Sequence, residues 1–330
     1  MPTMRGYSVS IERSKDTPGY SIGPPPATTS LTRWSANVPL GRVHAVTNGL
    51  FRIRGQDGWL RLAAGEVGAG PTELLPDAIT LDAILGRNGP SIDEAIAAAT
   101  DPIPDGTTVV APVESQEIWA AGVTYLRSRD ARIEEALEPS PYDRVYEADR
   151  PELFLKAPGW RAVGPDESIG VRRDSDWDVP EPELALVVDA NRVVVGYTIG
   201  NDVSSRSIEG ANTLYLPQAK TYDGSCALGP AIVPASSIEG PFEIRMRIER
   251  DGHAVYDETT STAGMARSFE DLVEHLGRAL AFPVGAVLLT GTGIVPDPPF
   301  TLLPDDVVRI SIAGLGTLSN PVRPVGAPAR

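Results

Sequence analysis

Residues 181–220 read EPELALVVDANRVVVGYTIGNDVSSRSIEGANTLYLPQAK, and the fold of the second half of the chain follows from this segment. It begins with Glu181 and Glu183, at the head of an apolar run typical of a buried strand. Side chains two residues apart lie on one face of a strand, so both carboxylates should point the same way. A second β-type run, 192–199, follows after a short turn. We therefore predict a hairpin whose far end brings Asp202 beside the two glutamates.

Three carboxylates that meet at one point repel one another unless a cation lies between them. Hard divalent cations prefer oxygen ligands, and Mg²⁺ keeps several waters that a substrate can displace. The segment therefore predicts that Glu181, Glu183 and Asp202 bind Mg²⁺, with Mn²⁺ or Ca²⁺ as alternatives. A strand with two solvated glutamates and an aspartate in a turn would show the same spacing, because exposed glutamate is common.

Composition and charge exclude several classes of protein. Hydrophobic residues make up 42% of the 330 residues and charged residues 22%, as in ordinary globular proteins. The net charge of −15 opposes binding to nucleic acid or to an anionic membrane, because phosphate groups need a basic partner. The single cysteine, Cys226, excludes a disulfide framework and a cysteine-rich metal site. Three histidines are present and none lies in a motif, so neither a zinc site nor a histidine-based triad is expected.

The N-terminal sequence lacks the apolar region of a signal peptide. No stretch approaches the roughly 20 apolar residues that a membrane span needs. We therefore expect a cytoplasmic protein that acts on a small molecule.

The chain changes its pattern near residue 112. Residues 1–40 are rich in Pro, Ser, Thr and Gly and predict an irregular lead-in. Short β-type runs and two helices follow, one of them opened by the capping box Ser91-Ile92-Asp93-Glu94. A proline-containing linker at 101–112 predicts a boundary between a small N-terminal α+β domain, 1–112, and a second domain, 113–330. Many strands and few helices in the second part indicate an α+β, mostly β fold.

Several blocks in and after the segment resemble the fumarylacetoacetate hydrolase family. They keep the family's order and approximate spacing from about Glu117 to the end of the chain. The blocks are Glu181-Pro182-Glu183-Leu184-Ala185, Gly196-Tyr197-Thr198, Asn201-Asp202-Val203-Ser204-Ser205-Arg206, Lys220, Asp223, Gly229-Pro230 and Thr290-Gly291-Thr292-Gly293. The resemblance implies a mixed β-roll for the C-terminal domain and a homo-oligomer, a dimer or a tetramer.

Four further blocks resemble the branch of the family that dehydrates 2-dehydro-3-deoxy sugar acids. They are Trp119-Ala120-Ala121-Gly122-Val123-Thr124-Tyr125, Tyr142-Asp143-Arg144-Val145-Tyr146, Arg150-Pro151-Glu152-Leu153-Phe154 and Tyr215-Leu216-Pro217-Gln218-Ala219-Lys220. The resemblance implies a Mg²⁺-dependent dehydratase of a 2-oxo acid, with 2-dehydro-3-deoxy-D-arabinonate as substrate and 2,5-dioxopentanoate as product. Two alternatives stay open: an acylpyruvate or fumarylacetoacetate-type hydrolase or isomerase, and a protein that binds metal without catalysis.

Two residues are candidates for proton transfer in such a reaction. Lys220 is the candidate base for a C3 proton, because a nearby dication lowers a lysine pKa and stabilises the resulting enolate. It could equally stay charged and pair with Asp223 or with a metal-binding carboxylate. Glu152 is the candidate acid for the departing hydroxide, since apolar neighbours favour its protonated form. The alternative for Glu152 is a surface glutamate at the start of a strand.

Four residues are predicted to contact the substrate. Arg206 matches a family position that faces substrate and could clamp a carboxylate, or it could form a structural ion pair. Thr292 resembles the family threonine that holds the substrate carboxylate. Arg127 and Ser128 are expected to face substrate hydroxyls, at the start of a helix-prone run that could be a lid or an ordinary solvated helix.

The same region departs from the family's hydrolases. Those enzymes carry a pattern like G-x-N-Y-x-x-H-x-x-E, whose His-Glu pair activates water. In this chain Ser128 stands at the histidine position and Ala131 at the glutamate position. We therefore expect hydrolysis of carbon–carbon bonds to be slow or absent.

Overall fold

Strands make up most of the described chain, which covers residues 47–127 and 142–327 of this computed structural model. Of residues 142–144 only the backbone is described. These ranges fall within one compact unit, Leu40–Arg330. No helix within them is long and apolar enough to cross a membrane.

The strands in chain order are β1 (Asn48–Arg54), β2 (Leu60–Glu66), β3 (Gly70–Leu74), β4 (Asp101–Pro102), β5 (Thr108–Val110), β6 (Glu117–Gly122), β7 (Glu152–Pro158), β8 (Ile169–Arg172), β9 (Asp178–Val179), β10 (Pro182–Val188), β11 (Val194–Asp202), β12 (Ser204–Ser205), β13 (Cys226–Pro234), β14 (Glu243–Arg250), β15 (His253–Ser261), β16 (Ala286–Leu289), β17 (Val307–Ile312) and β18 (Gly316–Val325). The α-helices are α1 (Leu81–Ile84), α2 (Ile92–Ala97), α3 (Tyr142–Glu147), α4 (Arg206–Ala211), α5 (Leu216–Lys220) and α6 (Phe269–Leu276). Short 3₁₀ turns lie at Gly159–Arg161, Thr213–Tyr215 and Thr262–Gly264.

The strands of the described ranges form three sheets. The largest has 11 strands in the order β4-β3-β2-β1-β13-β11-β10-β16-β6-β7, with β5 paired to β1. A second sheet has the order β15-β14-β17-β18-β8, and β12 pairs with β9. Pairing is antiparallel except between β16 and β6 and between β18 and β8. Mixed sheets with few, short helices confirm the predicted α+β, mostly β fold.

The predicted hairpin is present as β10 and β11 at the centre of the large sheet. Glu183 pairs with Gly200, and Pro182 pairs with Asn201. The second strand extends three residues farther than the sequence predicted, so Asp202 lies on β11 and not beyond its end. The reason is that Asp202 pairs with Cys226 of the neighbouring β13, which holds the backbone in the sheet.

Strand β10 is buried along its whole length because the sheet is covered on both faces. Leu184 and Leu186 pack in the core shared with the five-stranded sheet and α6. Val187 packs on the other side, in a cluster with apolar residues of α1 and α2. Helix α2 begins with the predicted capping box, in which Ser91 and Glu94 bond to each other's backbone. Double coverage explains why this strand reads as a continuous apolar run and does not alternate.

Strands from both sides of residue 112 belong to the large sheet. Leu50 of β1 pairs with Ile232 of β13, although the two strands lie far apart in the chain. The division into domains at 1–112 and 113–330 stays a prediction. The N-terminal strands nevertheless extend the sheet that carries the candidate site.

Candidate metal centre and active site

The three predicted carboxylates meet at the open end of the hairpin, opposite its turn. One ligand oxygen from each of Glu181, Glu183 and Asp202 lies within 4.8 Å of the others. All three side chains are buried. The backbone holds the arrangement, since Asp202 N–H donates to Glu181 O at 3.0 Å and Glu181 N–H donates to Asn201 Oδ1 at 3.2 Å.

Burial and mutual repulsion make this cluster unfavourable for three free charges. Burial, followed by the charges of Asp202 and Glu181, raises the pKa of Glu183 well above its usual range. Lys220 and the Gly291 N–H oppose this shift. Buried oxygen donors that resist ionisation beside one another fit a hard divalent cation, which would offset the repulsion.

Lys220 lies within this cluster, at the C-terminal end of α5. Its Nζ donates to Glu181 Oε2 at 2.8 Å, to Asp202 Oδ2 at 3.0 Å and to Ser204 Oγ at 2.6 Å. The pairing with two candidate ligands is one of the alternatives that the sequence left open. Asp223 pairs with Arg161 instead. The candidate base thus lies in direct contact with two of the candidate metal ligands.

Arg206 approaches the same cluster from α4. It is 1% exposed, and its Nη2 donates to Glu181 Oε1 at 2.8 Å, while Nη1 lies 3.9 Å from Glu209 Oε2. The contact agrees with the structural ion pair that the sequence allowed. Its role toward substrate stays a prediction.

Thr292 lies in the segment after β16, next to the candidate ligands. The preceding Gly291 donates its N–H to Glu183 Oε2 at 2.5 Å. Thr292 is buried, and its hydroxyl donates to Ile294 O and accepts from Ile294 N–H, both at 3.1 Å. Thr124 Oγ1 donates to Thr290 O at 2.7 Å, which joins this segment to the end of β6.

Glu152 begins β7, and its carboxylate lies against Gly122 of β6. A Cβ added to Gly122 would come 2.0 Å from Glu152 Oε2, so a side chain there would displace the carboxylate. Glu152 and Phe154 share one face of β7 because strand side chains alternate, and the pairing with β6 shifts by one residue at Lys156. Phe154 lies below Lys220, with 5.6 Å between Lys220 Nζ and the ring centroid. Glu152 is therefore on the face of β7 that meets the carboxylate cluster.

The two residues predicted to face substrate hydroxyls have different outcomes. Arg127 forms an ion pair with Asp297 and donates to Val295 O at 3.5 Å. Ser128 and Ala131 lie outside the described residues. The substrate contacts of Arg127 and Ser128 stay predictions.

Lys156 is a site residue that sequence reasoning missed. It is 0% exposed, and its Nζ forms an ion pair with Asp202 Oδ1. It also donates to Val203 O at 3.0 Å and to Lys220 O. The sequence did carry a signal for Lys156, because lysine is rare in this chain. Of the 29 lysine and arginine residues, three are lysines: Lys15, Lys156 and Lys220.

Tyr125 is a second residue that the sequence analysis left without a role. Its side chain is buried, and its hydroxyl has no hydrogen-bond partner among the described residues. The ring packs on Gly293, where an added Cβ would come 2.9 Å from it. Burial, with a further contribution from Glu183, raises the pKa of the phenol. The hydroxyl is therefore a polar group near the cluster that a ligand could engage.

Residues 117–323 match the family model described as fumarylacetoacetate (FAA) hydrolase C-terminal. The chain belongs to the fumarylacetoacetate hydrolase family. It is 55% identical over 216 residues to a probable 2-keto-3-deoxyxylonate dehydratase of Haloferax volcanii, a match covering 65% of this chain and 74% of that protein. It is 42% identical over 221 residues to the 2-dehydro-3-deoxy-D-arabinonate dehydratase of Saccharolobus solfataricus, with the same two coverages.

A solved structure of this family also resembles the chain. It is 2-keto-3-deoxy-D-arabinonate dehydratase complexed with magnesium and 2,5-dioxopentanoate, with a TM-score of 0.73 and 34% sequence identity. The similarity covers 84% of this chain and 99% of that one. Together with the buried carboxylates, this magnesium-bound relative supports a divalent-metal site in the present protein.

Proposed function

We propose that the protein is a Mg²⁺-dependent dehydratase that converts a 2-oxo-3-deoxy pentonate to 2,5-dioxopentanoate. The observation that carries this proposal is the buried cluster of Glu181, Glu183 and Asp202 with Lys220 Nζ between two of them. Both dehydratase relatives and the magnesium-bound structure agree with it. Mg²⁺ is proposed ahead of Mn²⁺ and Ca²⁺ because it is the ion in that relative.

The name of the Saccharolobus solfataricus relative gives a substrate of the D series, and the name of the Haloferax volcanii relative is compatible with the same acid. In a 2-oxo-3-deoxy pentonate C2 is a ketone and C3 is a methylene, so C4 is the one stereocentre left. D-xylonate and D-arabinonate have the same configuration at C4 and therefore give the same 2-oxo-3-deoxy acid. We propose this D-configured acid as the substrate.

A bound Mg²⁺ held by the three carboxylates would polarise the 2-oxo group and make the C3 hydrogens more acidic. Lys220 then takes the proton when the C3–H bond breaks. Glu152 donates a proton to the C4 hydroxyl, which leaves as water when the C4–O bond breaks. Thr292 and Arg206 are the proposed partners of the substrate carboxylate end, and Arg127 and Ser128 those of its hydroxyl end.

Loss of water from C3 and C4 alone gives 5-hydroxy-2-oxopent-3-enoate. Conversion to 2,5-dioxopentanoate needs a hydrogen shift in which C5 and its hydroxyl each lose a proton, and C3 and C4 each gain one. In D₂O the product should therefore carry solvent deuterium at C3 and C4. This labelling pattern separates dehydration from simple enolisation of the 2-oxo acid.

A substrate panel tests the proposal. The purified protein is incubated with the D and L 2-oxo-3-deoxy pentonates and with acylpyruvates, each with Mg²⁺ or with EDTA, and products are followed by NMR. We expect 2,5-dioxopentanoate from the D acid, only with the metal. Acylpyruvate turnover above about 1 s⁻¹, within the range of ordinary enzymes, would instead assign a hydrolase. Binding of the acid without any exchange at C3 would assign a non-catalytic protein.

The assembly and location of the enzyme are also proposals. We propose a homo-oligomer, a dimer or a tetramer, that works in the cytoplasm. Light scattering coupled to size-exclusion chromatography checks the assembly. A monomer at micromolar concentration would contradict it.

A further inference from the structure

Lys156 is a fully buried ammonium group that no step of the proposed reaction uses. It lies on β7, four residues after Glu152, and its side chain is 0% exposed. Moving an ammonium out of water is costly unless ion pairs and hydrogen bonds replace its hydration. A charge kept at such a position therefore needs an explanation within the surrounding structure.

The choice of lysine at this position stands out against the rest of the chain. Lys156 and Lys220 are the only lysines in the described ranges, and the other lysine of the sequence is Lys15. Apart from histidine, the other basic residues of the described part are all arginines. The arginine group is planar and large, whereas the lysine ammonium is a compact point charge with three donors. Both described lysines contact the carboxylate cluster, where Arg206 is the third buried cation.

The three partners of Lys156 connect a candidate metal ligand with the candidate base. Its Nζ pairs with Asp202 Oδ1, donates to Val203 O at 3.0 Å and donates to Lys220 O. One partner is a candidate metal ligand, one is the next residue's carbonyl, and one is the backbone of the candidate base. The ammonium thus makes two hydrogen bonds to backbone carbonyls and one ion pair. One side chain thus holds both Asp202 and Lys220.

The pattern around Asp202 repeats around Glu181. Arg206 holds Glu181 Oε1 and Lys220 contacts Glu181 Oε2, while Lys156 holds Asp202 Oδ1 and Lys220 contacts Asp202 Oδ2. In each carboxylate one oxygen is bound by Arg206 or Lys156, and the other oxygen is bound by Lys220. Partners that orient metal-ligating carboxylates in this way commonly affect metal affinity.

We propose that Lys156 is a positioning residue, which fixes the Asp202 carboxylate for the metal and the Lys220 backbone for proton transfer. The inference rests on the proposed function in assigning those two roles. It concerns Lys156 acting through its neighbours and requires no contact between Lys156 and substrate.

Metal affinity of the substrate-free protein tests the first half of this role. Titration calorimetry with Mn²⁺ and Mg²⁺ compares wild type with Lys156→Met, which is one atom shorter, keeps an unbranched side chain and removes the charge and the donors. We expect affinity to fall about 10–100-fold, the usual effect of losing such a partner. The matched control is Arg161→Met, because Arg161 lies in the turn after β7 and pairs with the exposed Asp223, away from the candidate ligands. The control should bind metal like wild type.

Lysine NMR tests the second half. Labelling with [6-¹³C]lysine should give three lysine signals, which Lys15→Arg and Lys156→Met assign. In folded Lys156→Met the Lys220 signal should move, because the carbonyl of Lys220 has lost its donor. Lys156→Gln, one atom shorter but still a donor, should recover part of the metal affinity, and it carries the test if the methionine variant does not fold.

Metal affinity within about twofold of wild type and an unmoved Lys220 signal, in a variant with native thermal unfolding, would overturn the proposal. A variant with lowered thermal stability but unchanged metal affinity would do so too, because that result assigns a purely structural ion pair. Both measurements are made without substrate. The proposed dehydratase activity can therefore fail while the role of Lys156 stands, and the role of Lys156 can fail while the dehydratase activity stands.

Discussion

Gly291 is a position where one added methyl group should damage the metal centre. Its φ of +89° lies in the left-handed region that favours glycine. Its N–H donates to Glu183 Oε2 at 2.5 Å. A Cβ would lie 2.1 Å from Thr124 Oγ1 and 2.9 Å from Ala121 O, so neighbouring atoms must move. Gly291→Ala should therefore strain the backbone and draw the N–H away from Glu183.

Gly58 supplies a matched control for the size of this effect. Its φ is +81°, and no atom lies within 4 Å of an added Cβ. Gly58→Ala should cost only the conformational penalty, about 1–2 kcal/mol. Gly291→Ala should also break the buried hydrogen bond to Glu183, which costs about 1–3 kcal/mol more. We expect its free energy of unfolding to fall by about 2–5 kcal/mol, and its metal affinity to fall about 10–100-fold.

Urea denaturation of wild type and both variants in EDTA measures the stability difference, and titration calorimetry with Mn²⁺ measures metal affinity. Gly58→Ala should retain wild-type metal affinity. If the two variants unfold within about 0.5 kcal/mol of each other and bind metal equally, then the Gly291 N–H does not orient Glu183.

Lys220→Met should stop exchange of the C3 hydrogens in D₂O, whereas Glu152→Gln should keep exchange and lose net dehydration by about 10²–10⁴-fold; equal losses in both would contradict separate roles. The raised pKa of Glu183 means that the folded, metal-free protein keeps this proton above pH 4.5, the usual pKa of a glutamate. Its free energy of unfolding should therefore fall as pH rises from 4.5 through the raised pKa. Mg²⁺ should offset that loss, so the Tm difference between Mg²⁺ and EDTA should grow with pH; a difference independent of pH would refute this. Tyr125→Phe removes a buried, unpaired hydroxyl, so stability should hold while kcat/KM falls about tenfold; unchanged kcat/KM would exclude contact with substrate.

The local pattern of residues 181–202 was enough to predict the carboxylate cluster. Period-two spacing places Glu181 and Glu183 on one face, and a hairpin must return near its own start, so Asp202 had to lie close. The end of β11 was wrong by three residues. It depends on pairing with β13, which no local pattern reveals.

The partners of the cluster come from distant strands, and the sequence predicted them less well. Lys156 reaches Asp202 although β7 lies four strands from β11 in the sheet, so the sheet must curve to bring the two together. That order includes a parallel pairing between strands far apart in the chain, so spacing alone cannot supply it. The family resemblance named Lys220 and Glu152 because it carries long-range information in the order of its blocks. The scarcity of lysine was a local signal that pointed to Lys156 and was not used, whereas the register shift of β7 at Lys156 could not be read from the sequence.

The contacts of the three cations would allow one site to hold both the proposed metal and the proposed base. Lys156 and Arg206 each hold an oxygen of Asp202 and Glu181, while Lys220 contacts the other oxygen of each carboxylate. A dication that shared those oxygens would compete with Lys220 and would leave the contacts of Lys156 and Arg206 in place. The carboxylates would stay oriented because their outer partners do not have to move. Metal binding would then turn Lys220 from a structural cation into a group released toward the substrate.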